Sequence, residues 1–436
     1  MKRTQRASLC ILMVPLLLSS VFSGCGTRGL TELTIGIFSG GNWDVPNPNS
    51  YALFDEVIRR FEEEHPQYRV TYRSGTLKED YSEWLAQRIL SDDAPDVFLV
   101  LSEDFSTFAS LGILQELDPL MEKDDGFDPG VYYGTALQAG HYQGKQHALP
   151  LEIAPTMMFV NKTLLLSEGI DVPSADWTWD DFYSICEQVT DDRNGDGELD
   201  QFGCYGFTWR EAALTDGNVL FNADGTRCFF NTKPLAAAVG FCRSVNALNG
   251  SVTLSSDDYD AGRVAFWPYL FSNYRAYKPY PFAIKKFSDF EWDCVPLPAG
   301  PNGGNTSDLH TLLMGVNART SQKNAAWELL KFFTYDSETQ FSLFEYSHGV
   351  SPLKEITESS RASAILQKDM PGDENFVDMK MLSGVIEDAY VVPNFKKYQE
   401  VMTLADNVLF PVVYGGANLE TTLKNLQREI SNALTG

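Results

Sequence analysis

The chain contains no apolar segment after residue 24 that is long enough to cross a bilayer as a helix. It also contains no internal repeat and no low-complexity tract, which excludes solenoid and disordered classes. Basic residues are scarce, since 34 lysines and arginines stand against 59 acidic residues and leave a net charge of -25. A field of that sign repels nucleic acid and disfavours phosphorylated or sulfated ligands, so the expected partner is a neutral or cationic small molecule.

Sequence patterns of common catalytic centres are absent as well. There is no GxSxG, HExxH or P-loop motif, and the histidines are scattered without a nucleophile or a metal-binding spacing beside them: His65, His141, His147, His310 and His348. Catalysis therefore has little support from motifs.

Cysteines are few and show no pattern. Cys10 and Cys25 lie at the N-terminus, and the remaining five show no CxxC or zinc-binding spacing: Cys186, Cys204, Cys228, Cys242 and Cys294. A chain of 436 residues does not need a disulfide framework, so we expect buried free thiols. A Cys204–Cys228 pair is the alternative.

The N-terminus has the pattern of an export signal. Three basic residues precede an apolar run from Leu9 to Phe22 that is too short for an ordinary transmembrane helix. The run ends in Phe22-Ser23-Gly24-Cys25, which resembles the lipobox of bacterial lipoproteins, although Phe22 departs from the usual Leu, Val or Ile. We predict a signal peptide over 1–24, lipidation of Cys25 and a tether over 25–32. Ordinary secretory cleavage with an incidental Cys25 is the alternative.

Residues 144–160 read as two short apolar strands separated by an acidic residue. Pro150 and Pro155 interrupt sheet pairing on either side of Glu152. We interpret this stretch as a crossing between two bodies with Glu152 at the junction. A surface loop within one sheet is the alternative.

The first part of the chain predicts alternating strands and helices. Strands over 33–38, 68–72 and 96–101 flank helices over 51–64 and 81–90, which is the β-α-β order of a mostly parallel sheet. Ligands bind beyond the carboxyl ends of such strands. The candidate ligand groups at these ends are Trp43, Asp44, Glu103 and Asp104. The alternative is that Trp43 fills a core and that the acids cap helices.

Further aromatics follow predicted strands in the second part of the chain. Trp209 ends one apolar segment, and Trp267 and Tyr269 end another. Such rings can stack on a ligand. Burial of the same rings in a hydrophobic core is the alternative.

Residues 192–200 have the pattern DxNxDGxxD. It places oxygens from Asp192, Asn194, Asp196 and Asp200, with the Glu198 carbonyl, at the positions of a calcium loop. Position 12 is Gly203, so the bidentate Glu of an EF-hand is missing. We predict a structural Ca²⁺ here, with a metal-free double turn as the alternative.

The order and spacing of several segments resemble the family 1 extracellular solute-binding proteins. These segments are Gly-Gly-Asn-Trp at 40–43, GKQHALP, MMFVNKTLL, WTWDDF, QFGCYGF, AGRVAFW, VPLPAGPNGG and SQKNAAWELLKFFTYDSETQ. The resemblance covers nearly all of the chain after the signal. It implies a substrate receptor of a bacterial ATP-binding-cassette importer, similar in fold to maltodextrin-binding protein and in most members specific for sugars.

The resemblance also implies the architecture and the site. We expect two α/β lobes, each a mostly parallel sheet flanked by helices, with the ligand cleft at the hinge. The lobes would comprise 33–149 with 311–375 and 150–310 with 376–436, joined by crossings near 149–153, 310–316 and 373–382. Residues expected on the cleft are Trp43, Asp44, Glu103, Asp104, Glu152, Trp209, Trp267 and Tyr269.

Several functional alternatives remain at this point. We expect a monomer without catalytic cofactor that captures a carbohydrate and passes it to permease subunits of an importer, held at the outer face of the membrane by its lipid. Glu103 or Asp104 with Glu152 could instead be the acid pair of a secreted carbohydrate-active enzyme. A binder of a non-sugar solute is the third alternative.

Overall fold

The computed structural model describes residues 30–43, 47, 49–73, 75–277, 290–368 and 377–435. The predicted signal peptide, Cys25 and Asp44 lie outside these residues. Within them, no helix is both long enough and apolar enough to cross a membrane.

The described residues form ten strands and eighteen α-helices, numbered in chain order. The strands are β1 Thr31–Gly36, β2 Tyr68–Tyr72, β3 Val97–Val100, β4 His141–Tyr142, β5 Lys145–Gln146, β6 Ala148–Asn161, β7 Phe202–Cys204, β8 Val264–Leu270, β9 Trp292–Val295 and β10 Leu309–Val316. The helices are α1 Ser50–Glu64, α2 Lys78–Leu90, α3 Ser102–Ser110, α4 Asp118–Met121, α5 Gly134–Gln138, α6 Lys162–Ser167, α7 Trp179–Val189, α8 Trp209–Thr215, α9 Lys233–Ala247, α10 Ser256–Asp260, α11 Phe271–Tyr277, α12 Lys323–Thr334, α13 Ser337–Tyr346, α14 Lys354–Thr357, α15 Ser360–Lys368, α16 Met379–Glu387, α17 Tyr398–Val413 and α18 Leu419–Thr435.

The β-α-β order predicted for the first part is confirmed. β1 pairs in parallel with β2 and with β3. Helix α1 buries Leu53, Val57 and Phe61 at spacings of four residues. It ends at Glu64, and His65, the C-cap residue, directly precedes a proline. Strand β1 begins at Thr31, so the last two residues of the predicted tether belong to the sheet.

Strand β6 corrects the interpretation of residues 144–160. A single strand of 14 residues, all of them buried, replaces the two short strands expected around Glu152. Its prolines are tolerated because of where they fall. The register shifts between Leu312 and Leu313, opposite Pro150, and Pro155 lies where the pairing of β6 passes from β10 to β8.

The sheet is mixed, whereas mostly parallel pairing was expected. Its strand order is β2-β1-β3-β10-β6-β8-β7, and β9 also pairs with β6. β10 is antiparallel to β3 and β6, and β6 is antiparallel to β8 and β9. This pairing follows from the path of the chain, because β6 carries it towards the second lobe and β10 carries it back.

Side chains of β6 alternate between two hydrophobic cores. Met157 and Phe159 belong to a first core, which contains Trp327 as well as Trp267 and Trp292 of the second part of the chain. Met158 and Val160 belong to a second core, built around helices such as α7, α9, α17 and α18. The period of two residues in a strand places successive side chains on opposite faces, so both cores depend on the same strand.

The third passage between the lobes, predicted near 373–382, falls partly outside the described residues. Helix α16 packs against α5, and Leu382 and Ile386 belong to the first core. Phe395 and Val401 belong to the second. Because the first core also contains residues of the second part of the chain, such as Trp267, the position of this passage and the lobe boundaries stay a prediction.

The expectation of buried free thiols is confirmed. Cys186, Cys204, Cys228, Cys242 and Cys294 are all buried, and none of them forms a disulfide within the described residues. Burial raises the pKa of the Cys186, Cys204 and Cys242 thiols, which keeps them protonated and unreactive.

Candidate ligand-binding cleft

A cleft of two connected compartments lies where α3, α8, the start of β10 and the start of α17 meet. The cavity volumes are about 270 Å³ and about 240 Å³. The two compartments share five lining residues, Ser102, Glu103, His310, Thr311 and Gln399. The cleft is thus one space with walls from both parts of the chain.

Glu103 lines both compartments from the first turn of α3. The helix starts directly after β3, and Ser102 donates a hydrogen bond of 2.8 Å to the Thr311 carbonyl, which fixes α3 to β10. The Glu103 side chain is exposed, and no hydrogen-bond partner contacts it in the described part of the chain.

Asp104, its neighbour, does not line the cleft. Its carboxylate accepts a hydrogen bond of 2.5 Å from the Ser82 hydroxyl, and burial raises its pKa above the ordinary value. The sequence left Glu103 and Asp104 unresolved, and the structure places Glu103 on the cleft.

The opposite wall includes Arg210 and Glu211 of α8. Thr208 and Glu211 form a capping box, in which the Glu211 carboxylate accepts from the Thr208 N–H at 2.9 Å. Burial raises the pKa of Glu211, and the charge of nearby Asp308 adds to the rise. Arg210 donates two hydrogen bonds, of 2.9 and 2.5 Å, to Asp406, so its charge is neutralised.

Asp308 and His310 contribute a second polar pair at the start of β10. His310 Nε2 lies 3.0 Å from an Asp308 carboxylate oxygen. Burial acts to raise the pKa of Asp308, but His310 and the Thr156 hydroxyl outweigh it, so the pKa lies below the ordinary value. Asp308 is therefore an anionic acceptor at the cleft.

Tyr390 supplies an aromatic ring to the larger compartment. The residue is held in place by its backbone N–H, which donates to the Ser307 carbonyl at 2.7 Å. The ring is half-buried, and among the described residues no other ring packs against it. By contrast, the Tyr398 ring packs against Phe395 at a centroid distance of 5.5 Å. Tyr390 is thus the ring in this wall with a face left for a ligand.

The aromatic residues singled out in the sequence are mostly packed into the protein. Trp43 lines the smaller compartment but is only 5 % exposed and packs against Ala154. Trp209 is buried, and its indole N–H donates to Asp406 at 3.0 Å. Trp267 and Tyr269 stack on each other at a centroid distance of 4.0 Å and line neither compartment. Their rings complete cores, which is the alternative that the sequence left open.

Glu152 also lies away from the cleft. It is only 3 % exposed and accepts hydrogen bonds from the Ser347 hydroxyl and, at 2.7 Å, from the Gly349 N–H. Burial raises its pKa, and these donors together with Trp43 and Arg275 oppose the rise. Glu152 lines neither compartment, whereas Glu103 lines both.

The predicted calcium loop is exposed, and its acids bond to the loop itself. Asp192 accepts hydrogen bonds from the Gly195 and Gly197 N–H groups at 2.7 Å, and these bonds lower its pKa. Asp196 accepts from the Glu198 N–H at 2.9 Å. Both glycines have positive φ, as such turns require. In the part of the chain that the structure describes, no three acidic, His or Cys side chains converge as a metal site, and the calcium loop stays a prediction.

Residues 46–339 match the family described as bacterial extracellular solute-binding protein. The chain belongs to this family. Members of the family bind solutes outside the cell, and a cleft between two parts of the chain is consistent with that role.

Relatives and solved structures of this solute-binding protein agree with the assignment. An uncharacterised lipoprotein of Streptomyces antibioticus is 24 % identical over 347 residues, 75 % of this chain and 72 % of that protein. An arabinooligosaccharide-binding protein of Halalkalibacterium halodurans is 24 % identical over 172 residues, 38 % of this chain and 36 % of that protein.

Two solved structures are similar over almost their entire length. The cyclic alpha-maltosyl-1,6-maltose binding protein of Arthrobacter globiformis has a TM-score of 0.76 at 16 % identity, over 93 % of this chain and 99 % of that chain. An ABC substrate-binding protein of Listeria monocytogenes, in complex with cycloalternan, has a TM-score of 0.71 at 22 % identity, also over 93 % and 99 %. The expected two-lobed α/β fold is confirmed.

The sequence missed most of the opposite cleft wall. Thr208-Trp209-Arg210-Glu211 is a readable capping box, and it could have placed Glu211 at a helix start. Asp308 and Tyr390 carry no local signal, because only the paths of β10 and of the segment before α17 bring them to the cleft.

Proposed function

We propose that this solute-binding protein captures a sugar or oligosaccharide and delivers it to the permease of an ATP-binding-cassette importer. The observation that carries the proposal is that Glu103 and Tyr390 face one compartment with their binding groups unused. The carbohydrates in the names of the arabinooligosaccharide-binding relative and of the two similar structures support it.

The chemistry of the cleft suits a pyranose. A sugar ring presents apolar C–H faces, which pack on an aromatic face such as that of Tyr390. Its hydroxyl groups donate to carboxylates, and Glu103, Glu211 and Asp308 provide these acceptors. The cations of the larger compartment are partly neutralised, since Arg210 pairs with Asp406, so a neutral ligand is favoured over an anionic one.

The test is titration calorimetry of the whole mature protein against a saccharide panel. Glu103→Gln should weaken binding about threefold to tenfold, because the amide accepts hydrogen bonds less strongly than the carboxylate. Asp104→Asn is the matched control, since the adjacent carboxylate bonds to Ser82 and lies outside the cleft. Equal effects of both changes, or no saccharide binding by the parent protein, would contradict the proposal.

Chromatography of the recovered ligand separates the binding protein from an enzyme. We expect the saccharide to return intact after prolonged incubation. Cleaved product would instead assign the cleft to a carbohydrate-active enzyme.

We also propose that Cys25 carries the lipid that holds the receptor at the outer face of the cytoplasmic membrane. The name of the Streptomyces lipoprotein supports this, and two acyl chains give stable anchoring where one is marginal. Cys25→Ala should release the protein into the medium as a monomer. Retention of the variant on membranes after a high-salt wash would show that the anchor lies elsewhere.

A further inference from the structure

Helix α17 carries a row of side chains that leads out of the cleft. The row consists of Tyr398, Met402, Asp406, Phe410 and Tyr414 at intervals of four residues, so that each member neighbours the next on the helix surface. Tyr398 and Met402 line the larger compartment. Asp406 is half-exposed and holds Arg210 of the cleft wall.

The outer end of this row is an exposed aromatic pair. Phe410 and Tyr414 are 63 % and 52 % exposed, and their rings lie 4.7 Å apart at 39°. Among the large exposed apolar side chains of the described residues, only these two are aromatic. Two adjacent exposed rings form an apolar platform of the kind that marks interaction sites.

The pair remains within electrostatic reach of the cleft wall. Burial raises the pKa of Tyr414 to about 12, and the Glu211 carboxylate contributes to the rise. Met402 and Phe410 are eight residues apart, which corresponds to about 12 Å along a helix axis. A ligand that fills the cleft and continues along the row would therefore need more than one sugar unit.

We propose that Phe410 and Tyr414 form an outer sugar subsite, on which the distal units of a cleft-bound oligosaccharide stack. The proposal rests on the proposed sugar-receptor function and deepens it, because it makes a chain of several units the preferred ligand. An oligosaccharide fits the row because the polar Asp406–Arg210 pair lies between the cleft and the exposed rings, so that hydroxyls can meet the pair and C–H faces can meet Phe410 and Tyr414. The continuity of the row with the cleft favours a ligand over a protein partner.

The experiment measures affinity against ligand length. The probes are two ladders, maltose to maltoheptaose and arabinobiose to arabinohexaose, titrated calorimetrically into the parent and into the double variant Phe410→Ala/Tyr414→Ala. Short probes that fill only the cleft should bind both proteins equally. Long probes should bind the double variant about tenfold more weakly, going by the free energy of an aromatic contact.

Two controls keep the result specific. Leu166→Ala removes an apolar side chain that is 77 % exposed on α6, and it should leave both ladders unaffected. The melting temperature of the double variant should match that of the parent, because both rings are exposed.

Each remaining outcome contradicts a different statement. If the double variant binds long and short probes as the parent does, the aromatic pair is not a sugar subsite. If it loses short and long probes equally, the pair acts on the cleft as a whole and the subsite is wrong. If the parent binds neither ladder and no other saccharide of the panel, the sugar-receptor proposal fails and the subsite fails with it; if it binds a saccharide of the panel only as a single unit, the subsite alone is wrong.

Discussion

Two carboxylates, Glu152 and Glu103, lie near the boundary between the lobes, and their surroundings differ. Glu152 is enclosed, with donors from Ser347 and Gly349 meeting its oxygens. Glu103 is exposed on α3, and no hydrogen-bond partner contacts it within the described part of the chain. The first carboxylate joins β6 to the loop that follows α13, and the second faces an open compartment.

The comparison teaches that the hydrogen bonds a group already makes decide its role. A buried acceptor whose donors come from the protein stabilises the fold, and its removal leaves those donors unpaired. An exposed acceptor without a protein partner is available to a ligand. Four changes would sharpen or break this contrast.

The largest expected effect is on stability. Glu152→Ala leaves the Ser347 hydroxyl and the Gly349 N–H without their acceptor, which should lower the free energy of unfolding by about 3 kcal/mol. Denaturant unfolding measures this, and calorimetry at low temperature should show ligand affinity close to that of the parent. Glu152→Gln keeps an acceptor oxygen and should cost less. If the Glu152→Ala variant were as stable as the parent but no longer bound the ligand, Glu152 would be a ligand-binding residue, and the contrast with Glu103 would be wrong.

The next effect is on binding alone. Tyr390→Ala removes the ring that faces the larger compartment and should weaken sugar binding about tenfold, while the unfolding free energy changes little. Tyr390→Phe keeps the ring and is the matched control, with near-parent affinity expected. If the phenylalanine variant binds as poorly as the alanine variant, the hydroxyl rather than the ring face carries the contact.

A smaller effect concerns pH and involves His348, next to the Glu152 donors. Burial, helped by the Arg275 cation, lowers the pKa of His348 from 6.5 to about 4. Because the folded state resists protonation, the stability that this residue contributes is present above pH 6.5 and is lost as the pH falls towards 4. The unfolding free energy of the parent should therefore fall more steeply over this window than that of His348→Gln. Parallel curves for the two proteins would contradict the prediction.

The smallest effect concerns calcium at residues 192–200, which we retain as a proposal. Binding would have to compete with the backbone N–H groups that Asp192 already accepts. At a calcium concentration equal to the dissociation constant, the folding equilibrium would shift only about twofold. Melting with calcium and with chelator, for the parent and for Asp200→Asn, is the measurement. Identical melting temperatures with calcium and with chelator, together with no metal by elemental analysis, would contradict the calcium site and support the metal-free double turn.

The elements that the sequence predicted well are set by local rules. Apolar spacing and a following proline fix α1. The order of strands and helices fixes the parallel pairing of β1 with β2 and β3.

The site was harder because its groups are related only by distant contacts. Pro150 and Pro155 suggested a break, but β10, far along the chain, pairs with β6 across both positions. Glu152 looked available, but its partner Gly349 lies 197 residues away. The rings of Trp209 and Trp267 pack into hydrophobic cores. Composition alone does not decide whether an aromatic ring is buried in a core or stacks on a ligand.

The five buried cysteines have a consequence for the working life of the receptor. While the chain is folded, the interior protects its thiols from oxidants outside the cell, as a blocking group would. Once the chain unfolds there, thiols that never meet in the native state can become linked, and refolding is then prevented. Loss of this receptor should therefore be a one-way process, whose half-life is set by the height of the unfolding barrier rather than by the equilibrium between folded and unfolded chains.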